Sequence, residues 1–429
     1  MYFDFPAFFR YNFKAFFLTR GKNYRLTPKR FLILVLWLIL YIPNEIIYHF
    51  FLLLDEIIFP RYRKTEVKKP VFIIGNPRSG TTLLHRMMDK DQENFTSFKV
   101  WELIFAPSIT QRKLIWALIK FAKLLGAPVQ KVLQLLNKRI TKRTKTHTVR
   151  IDAAEEDDHI LIHGWCSSTL WALYPIPEEM LPYFYFDRDI PRAQQDRVMK
   201  LYKNMLQRHL YAHGGKLTLL TKNPNQAGKI ESLLRFFPDA RFINLARNPM
   251  ETVPSMMDFM AAGWQIFCNP LEPYPHKQEF FEVMGFYYRY PIEFFKDKPD
   301  TCYFIRYDNL ISDPEGMVRE VYDFLDLELS EKFAATLQQE AEKSRNFRSE
   351  HVYSLEDMQL TEEQIVENFS DVFEFYEFGT EKTDFDEKGV FIKLRDWQLA
   401  RKQRRRLQAK KRRKLLRKKR NPPGLIKKL

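Results

Sequence analysis

Cysteine is scarce in this chain of 429 residues, and its pattern excludes two kinds of small stabilised fold. The three cysteines, Cys166, Cys268 and Cys302, are an odd number and form no Cys-x-x-Cys pair. A disulfide framework and a zinc knuckle both need cysteines that pair at short spacings. The cysteine usage therefore fits a reducing compartment.

The N-terminal region has no uninterrupted apolar run long enough to cross a bilayer. The run at residues 31–42 would rise about 18 Å as a helix, against a hydrocarbon core of about 30 Å. Pro43-Asn-Glu45 separates it from a second apolar stretch at residues 46–59. Basic residues flank both sides, so we predict a re-entrant hairpin or an in-plane helix with both ends in the cytoplasm. A buried pair of core helices is the alternative.

Acidic residues are nearly absent from the C-terminal tail, residues 393–429, which holds eighteen Lys or Arg and one Asp. The tail carries a charge of +17 and the whole chain +16, so the rest of the chain is close to neutral. We expect the tail to bind anionic lipids and to be the second of the two signals that stable membrane anchoring needs. A basic run also attracts nucleic acid, but one aromatic residue, Trp397, gives little base stacking.

A phosphate-binding loop follows the first predicted strand, but it lacks the lysine of a nucleoside triphosphatase. Gly75 and Gly80 bracket four residues, so backbone N–H groups and a helix N-terminus can converge on an anion. Thr81 stands where the lysine that reaches the β- and γ-phosphates belongs, and Arg78 provides a cation inside the loop instead. This arrangement favours a shorter anion, such as the phosphosulfate of a nucleotide.

Two blocks of the sequence resemble the sulfotransferases that use 3′-phosphoadenosine 5′-phosphosulfate (PAPS). Residues 77–82, Pro-Arg-Ser-Gly-Thr-Thr, match the family's loop, and residues 237–257 match a strand that ends in Arg-[Asp/Asn]-Pro with a Ser eight residues after the Arg. The resemblance covers about residues 71–367 and implies that PAPS is the donor and the desulfated nucleotide PAP the product. It implies that the phosphosulfate is bound by Arg78, Ser79, Gly80, Thr81 and Thr82, and the 3′-phosphate by Arg247 and Ser255.

Weaker matches extend the resemblance. Lys222-Asn-Pro224 is similar to the family's Lys-x-Pro, which implies that Lys222 neutralises the leaving oxygens. Tyr307 matches a tyrosine that approaches the adenine. Pro254 removes a helical hydrogen bond just before Ser255 and is expected to kink that helix.

The reaction also needs a base, because the acceptor hydroxyl loses its proton as it attacks sulfur. Residues 145–161 resemble an acidic segment of bacterial-type sulfotransferases, with Ala154 in place of a Pro. Our first candidate is Glu156, followed by His147 and then His159, and the alternative is that these acids only stabilise a helix N-terminus. Glu156, His159 and His163 also have a weak metal-site spacing. No metal is expected, since Arg78, Lys222 and the helix end supply the positive charge.

Four strand-like segments, at residues 71–76, 217–222, 241–247 and 302–307, are each followed by a helical pattern. This alternation predicts an α/β, three-layer, P-loop-type fold with a central parallel sheet, and a helical insertion at about residues 92–215 lies over the active site. Asp313 and Pro314 predict the start of a helix that runs through Leu325. The chain is divided into a membrane-associated segment at residues 1–69, a sulfotransferase domain at 70–392 and the basic tail at 393–429.

We therefore expect a PAPS-dependent sulfotransferase that acts on a hydroxyl of a lipid, a glycan or another amphiphilic acceptor. Its catalytic domain is expected to face the cytoplasm from a membrane surface, with a Golgi-type membrane enzyme as the alternative. Two other functions remain open at this point. One is a P-loop nucleotide kinase or phosphatase, and the other is a non-catalytic basic protein that binds nucleic acid.

Overall fold

The structure is a computed structural model, and it describes residues 2–124, 152–345 and 355–379. Its centre is a sheet of five parallel strands in the order β2-β3-β1-β4-β5. The strands are β1 Val71–Gly75, β2 Phe95–Thr96, β3 Thr218–Lys222, β4 Arg241–Ala246 and β5 Cys302–Arg306.

Helices cover both faces of this sheet. Alternate residues of β1 show the division, because Phe72 and Ile74 enter one hydrophobic core while Val71 and Ile73 enter the other. Such alternation follows from the two-residue period of a strand. The predicted three-layer α/β fold with a central parallel sheet is thereby confirmed.

The described α-helices are numbered in chain order. They are α1 Phe5–Phe17, α2 Pro28–Ile58, α3 Thr81–Met88, α4 Val100–Ile104, α5 Ile109–Leu124, α6 His159–Ile162, α7 Pro177–Phe184, α8 Phe186–Asp189, α9 Arg192–Ala212, α10 Ile230–Phe236, α11 Pro249–Phe267, α12 Lys277–Phe295, α13 Tyr307–Ser312, α14 Pro314–Leu325, α15 Glu331–Arg345, α16 Glu362–Asn368 and α17 Ser370–Tyr376. Three 3₁₀ segments are at Pro60–Lys64, Ser168–Ala172 and Pro224–Gly228.

The four predicted strands are present, each within one residue of its predicted ends. The sequence missed β2, because a strand of two residues leaves no periodic pattern. Helix α14 begins at Pro314 as predicted, and the side chain of Asp313 accepts the Gly316 N–H. The described part of the insertion is mostly helical. His147 and the basic tail lie outside the described residues.

Helix α2 is one continuous helix that passes through Pro43, so the predicted re-entrant hairpin is wrong. Pro43 and Ile39, whose carbonyl loses its hydrogen bond, both lie on the exposed side. The buried face of the helix contacts the domain both before and after the proline. Tyr41 donates its hydroxyl to the Ile162 carbonyl at 3.1 Å, and Glu45 contacts His163 at 2.6 Å. Tertiary packing thus holds together a helix that proline alone would interrupt.

The buried side of α2 carries three charged side chains among leucines and tyrosines, whereas its exposed side is mostly apolar, which departs from the usual pattern of a surface helix. The buried stripe includes Arg30, Glu45 and Asp55, and Asp55 pairs with Arg208 at 3.1 Å. The exposed side carries Phe31, Leu32, Leu36, Ile39, Leu40, Ile46, Ile47, Phe50, Leu53, Ile57 and Ile58. Among the described helices, α2 is long and apolar enough to cross a membrane, a property that core helices and signal sequences can share.

Candidate active site

The phosphate-binding loop joins β1 to α3 and depends on two glycines with positive φ. At Gly75 (φ +130°) a Cβ would lie 2.1 Å from the Leu245 carbonyl oxygen, so β4 packs too closely for a side chain. At Gly80 (φ +85°) a Cβ would lie 2.6 Å from the Tyr307 ring. Tyr307 therefore lies directly on the loop. Arg78 also has a positive φ, of +69°, an uncommon conformation for a residue with a side chain.

The remaining loop residues lie at the start of α3. Ser79 and Thr81 are buried and Thr82 is half-buried. Thr81 and Thr82 form the first turn, where N–H groups have no partner inside the helix. These N–H groups and the positive end of the helix provide the elements of an anion site.

The two blocks that carry the family resemblance meet in space. Arg78 donates from Nε to Ser255 Oγ at 3.0 Å, although the two residues are 177 positions apart. Arg247 donates from Nη1 to the Arg78 carbonyl at 3.4 Å, and its guanidinium carbon lies 4.3 Å from the centroid of the Tyr307 ring. The structure thus brings together Arg78, Ser255, Arg247 and Tyr307.

Two features near Arg247 were not anticipated. Glu251 accepts a hydrogen bond from Arg247 Nε at 2.7 Å, and the spacing of four residues across the start of α11 was the signal that could have revealed this pair. Tyr288 donates its hydroxyl to the Arg247 carbonyl and fixes the end of β4. Helix α11 stays continuous through Pro254, and Ser255 beyond it still contacts Arg78.

The predicted base and the predicted cation of the second strand form an ion pair. Lys222 Nζ lies 2.6 Å from Glu156 Oε1, and the side chain of Lys222 is 2% exposed whereas that of Glu156 is 32% exposed. Lys222 ends β3 beside Ile73 of β1, which places it next to the start of the loop. The Glu155 N–H donates to the Phe98 carbonyl at 3.0 Å and fixes the backbone that carries Glu156.

The next two acids are buried and have structural partners. Burial raises the pKa of Asp157 to about 6 despite its hydrogen bond from Tyr202. Burial opposes the ionisation of Asp158, but Lys229 at 3.0 Å lowers its pKa to about 2. These contacts connect the acidic segment to the chain that follows β3, and they leave Glu156 as the acid that pairs with Lys222.

The histidines of this segment differ in position. His159 Nδ1 hydrogen-bonds with the Glu156 carbonyl oxygen at 2.9 Å, so this ring stays beside the candidate base. His163 is engaged at both ring nitrogens, by Glu45 at 2.6 Å and by the Leu103 carbonyl at 3.0 Å. The spacing of Glu156, His159 and His163 therefore does not form a metal site.

Within the described part of the chain, one other group has metal-ligand types close together: Glu102, His209 and His213. Both ring nitrogens of His209 are occupied, by Thr96 Oγ1 and by Arg112 Nη1, each at 2.9 Å. The Arg112 cation next to the imidazole opposes a metal ion there. We interpret this group as a buried ion-pair cluster.

Comparisons with known proteins identify the family and the fold. The model of the sulfotransferase family matches residues 70–331, more than half of the chain. A relative from Mycobacterium bovis, named omega-hydroxy-beta-dihydromenaquinone-9 sulfotransferase Stf3, is 24% identical over 321 residues, which cover 72% of this chain and 74% of the relative. The Mycobacterium tuberculosis protein of the same name matches equally.

Two crystal structures share the fold. The sulfotransferase STF9 of Mycobacterium avium has a TM-score of 0.63 at 19% identity, covering 76% of this chain and 82% of that one. The sulfotransferase STF1 of Mycobacterium tuberculosis H37Rv has a TM-score of 0.55 at 20% identity, covering 74% and 80%.

Proposed function

Because this chain belongs to the sulfotransferase family, we propose that it transfers a sulfuryl group from PAPS to the hydroxyl of a lipid or other amphiphilic acceptor. The observation that carries the proposal is the hydrogen bond between Arg78 and Ser255, which joins the loop to the second motif. In this assignment the loop N–H groups and Arg78 bind the phosphosulfate, and Arg247 and Ser255 bind the 3′-phosphate. Tyr307, which packs on both the loop and Arg247, is next to the adenine.

Glu156 and Lys222 have different roles in the proposed reaction. The acceptor oxygen forms a bond to sulfur while the bond from sulfur to the 5′-phosphate oxygen breaks, and PAP leaves. Glu156 accepts the hydroxyl proton, since it is exposed enough to meet the acceptor. Lys222 and Arg78 offset the negative charge that develops on the leaving oxygen, which is the role that a metal ion has in other phosphoryl-type transfers. His159 and His147 remain the other candidates for the base.

The exposed side of α11 supports an amphiphilic acceptor. On the C-terminal side of Ser255 this helix exposes Phe259 and Ile266, at 46% and 57%, beside Met256 and Met260, which are partly buried against the core. An apolar chain lying on Phe259 and Ile266 would bring its hydroxyl towards the end of the helix that carries Ser255. The relative named for a dihydromenaquinone acceptor points to the same class, and a glycan is the competing acceptor.

We also assign the protein to a membrane surface, with α2 lying in the plane. The inward ion pairs of α2 hold its length on the domain, so the helix cannot cross a bilayer without taking the domain with it. Helix α1 adds Phe5, Phe9, Phe13 and Phe17, which are all exposed at successive i, i+4 positions. The basic flanks on both sides support a cytoplasmic position for the catalytic domain.

Transfer of radiolabelled sulfate tests the proposal. The purified full chain is incubated with labelled PAPS and either a total lipid extract or a total glycan extract, and we expect label in the lipid fraction. Glu156→Gln should abolish transfer while PAP still binds. Asp187→Asn is a matched control, because Asp187 is a carboxylate bound by Tyr290 and Ser232. Transfer of phosphate from labelled ATP instead of sulfate would establish the kinase alternative and refute the proposal.

A further inference from the structure

A basic depression of about 690 Å³ lies at the edge of the sheet opposite the candidate active site. It is lined by the five lysines Lys64, Lys68, Lys69, Lys113 and Lys216, and Glu66 is the single acid among its described lining residues. Lys69 precedes β1 and Lys216 precedes β3. Because these strands are parallel, their starts share one edge, and the loop and Lys222 lie at the other. The depression is therefore separate from the donor site.

The lysines that line the depression form no ion pairs with the described carboxylates. Within residues 2–124, 152–345 and 355–379, no carboxylate lies within 4.0 Å of any of their ammonium groups. The acid Asp239 accepts the backbone N–H of Lys69 at 2.8 Å and so is directed to the main chain. Five cations around one cavity repel one another, and an anion relieves that repulsion.

The walls of the depression are fixed by hydrogen bonds. Gln207 Nε2 donates to the carbonyls of Arg63 and Thr65, at 2.8 and 3.0 Å, and holds the segment that carries Lys64. On the other side, Gly214 and Gly215 turn the chain with φ of +87° and +72°, and the Gly215 N–H donates to the Leu210 carbonyl at 2.8 Å. These hydrogen bonds hold the backbone segments that carry Lys64 and Lys216.

The depression begins where the apolar side of α2 ends. Phe59 follows α2, and its ring lies 5.4 Å from Lys113 Nζ and 6.1 Å, centroid to centroid, from Tyr211, both of which line the depression. Ile57 and Ile58, the two residues immediately before Phe59, are 70% and 53% exposed. An apolar side followed at once by cations matches the order of a lipid leaflet, in which acyl chains lead to phosphate headgroups.

We propose that this depression binds the phosphate of an anionic phospholipid headgroup and fixes the C-terminal end of α2 at the membrane surface. The proposal rests on the membrane attachment proposed above, but not on the sulfotransferase reaction. A free phosphate or nucleotide has the same chemistry. The adjoining apolar side of α2 favours the lipid, because a soluble phosphate gains nothing from it.

Vesicle co-sedimentation of the full chain tests the site. The triple variant Lys68→Gln, Lys113→Gln, Lys216→Gln is compared with the charge-matched control Lys200→Gln, Lys296→Gln, Lys298→Gln. Vesicles contain either phosphatidylcholine alone or phosphatidylcholine with phosphatidylglycerol. Each lysine near an anionic surface contributes about fivefold to binding, so the site variant should lose on the order of 100-fold for the anionic vesicles. The control should change less than about threefold, and neither variant should change binding to neutral vesicles.

The outcomes separate the proposals. Equal losses in the two triple variants would mean that net charge alone acts, and would overturn the site. Tight binding of inorganic phosphate, measured by calorimetry and lost in the site variant with vesicle binding unchanged, would assign the depression to a free anion and overturn the lipid assignment. Equal binding to neutral and anionic vesicles would refute the lipid site in the depression but not the membrane attachment. Binding to neither vesicle would refute the membrane attachment too.

Discussion

Substitution of Arg247 by alanine tests the assignment of the 3′-phosphate most directly. The side chain is 22% exposed and lies between Tyr307 and the Arg78 carbonyl, so water screens it only in part. A charge-assisted contact with a phosphate in such a position is worth about 2–4 kcal/mol. Because the phosphate must also displace Glu251 from Arg247, we expect the lower half of that range. Affinity for PAP and for PAPS should then fall about 30- to 150-fold in Arg247→Ala.

Isothermal titration of PAP into the full chain measures this loss, and adenosine 5′-phosphosulfate supplies the comparison. It lacks the 3′-phosphate, so it should bind the variant and the unchanged protein equally well. Arg289→Ala is the matched control, since Arg289 pairs with Asp371 and is 43% exposed. The reasoning is refuted if the variant still prefers PAP over adenosine 5′-phosphosulfate by the original factor.

Four further predictions follow from other contacts. Arg78→Ala should lower the turnover number far more than PAP affinity, because charge develops on the leaving oxygen only as the bond to sulfur breaks, and equal losses would reduce Arg78 to a binding residue. Asp158→Asn should lower the free energy of unfolding by about 3–5 kcal/mol in chemical denaturation, because the buried ammonium of Lys229 loses its counter-charge. The stability that Asp158 contributes should persist above about pH 4 and disappear as the pH falls through about 2. An acid-unfolding transition that is unchanged in the variant would contradict this. Phe259→Gln should raise KM for a lipid acceptor several-fold with PAP affinity unchanged, and an effect on PAP alone would remove the acceptor from α11. Leu40→Gln with Ile47→Gln should weaken binding to neutral vesicles at least tenfold with little change in Tm, and unchanged binding would exclude α2 from the membrane.

The sequence predicted the parts of the fold and site that local patterns encode. Each core strand was visible as an apolar run before a helix, and the glycines and Arg78 identified the loop. Motif spacing placed Arg247 and Ser255 on one strand-to-helix junction, where the structure has them. These features depend on neighbours within about twenty residues, which a single sequence displays.

Long-range contacts were not predictable in the same way. The pairing of Asp158 with Lys229 joins residues 71 positions apart, and nothing in the local pattern distinguishes it from a solvated charge. The hairpin predicted as one possibility for α2 was wrong because it weighed the propensity of Pro43 but not the side of the helix on which the proline lies. That side is decided by contacts to His163 and Arg208, more than a hundred residues later.

The contacts of α2 with His163 and Arg208 can form only after those residues have been synthesised. Asp55 leaves the ribosome 153 residues before its partner Arg208, an interval of about 8 to 30 s at translation rates of about 5–20 residues per second. Throughout that time α2 exposes its apolar side, Asp55 lacks its partner Arg208, and the domain on which the helix packs has not yet folded. If the proposed membrane attachment holds, we expect the nascent chain to bind the bilayer until residues beyond 208 appear, and this binding would keep the exposed apolar side of α2 from aggregating.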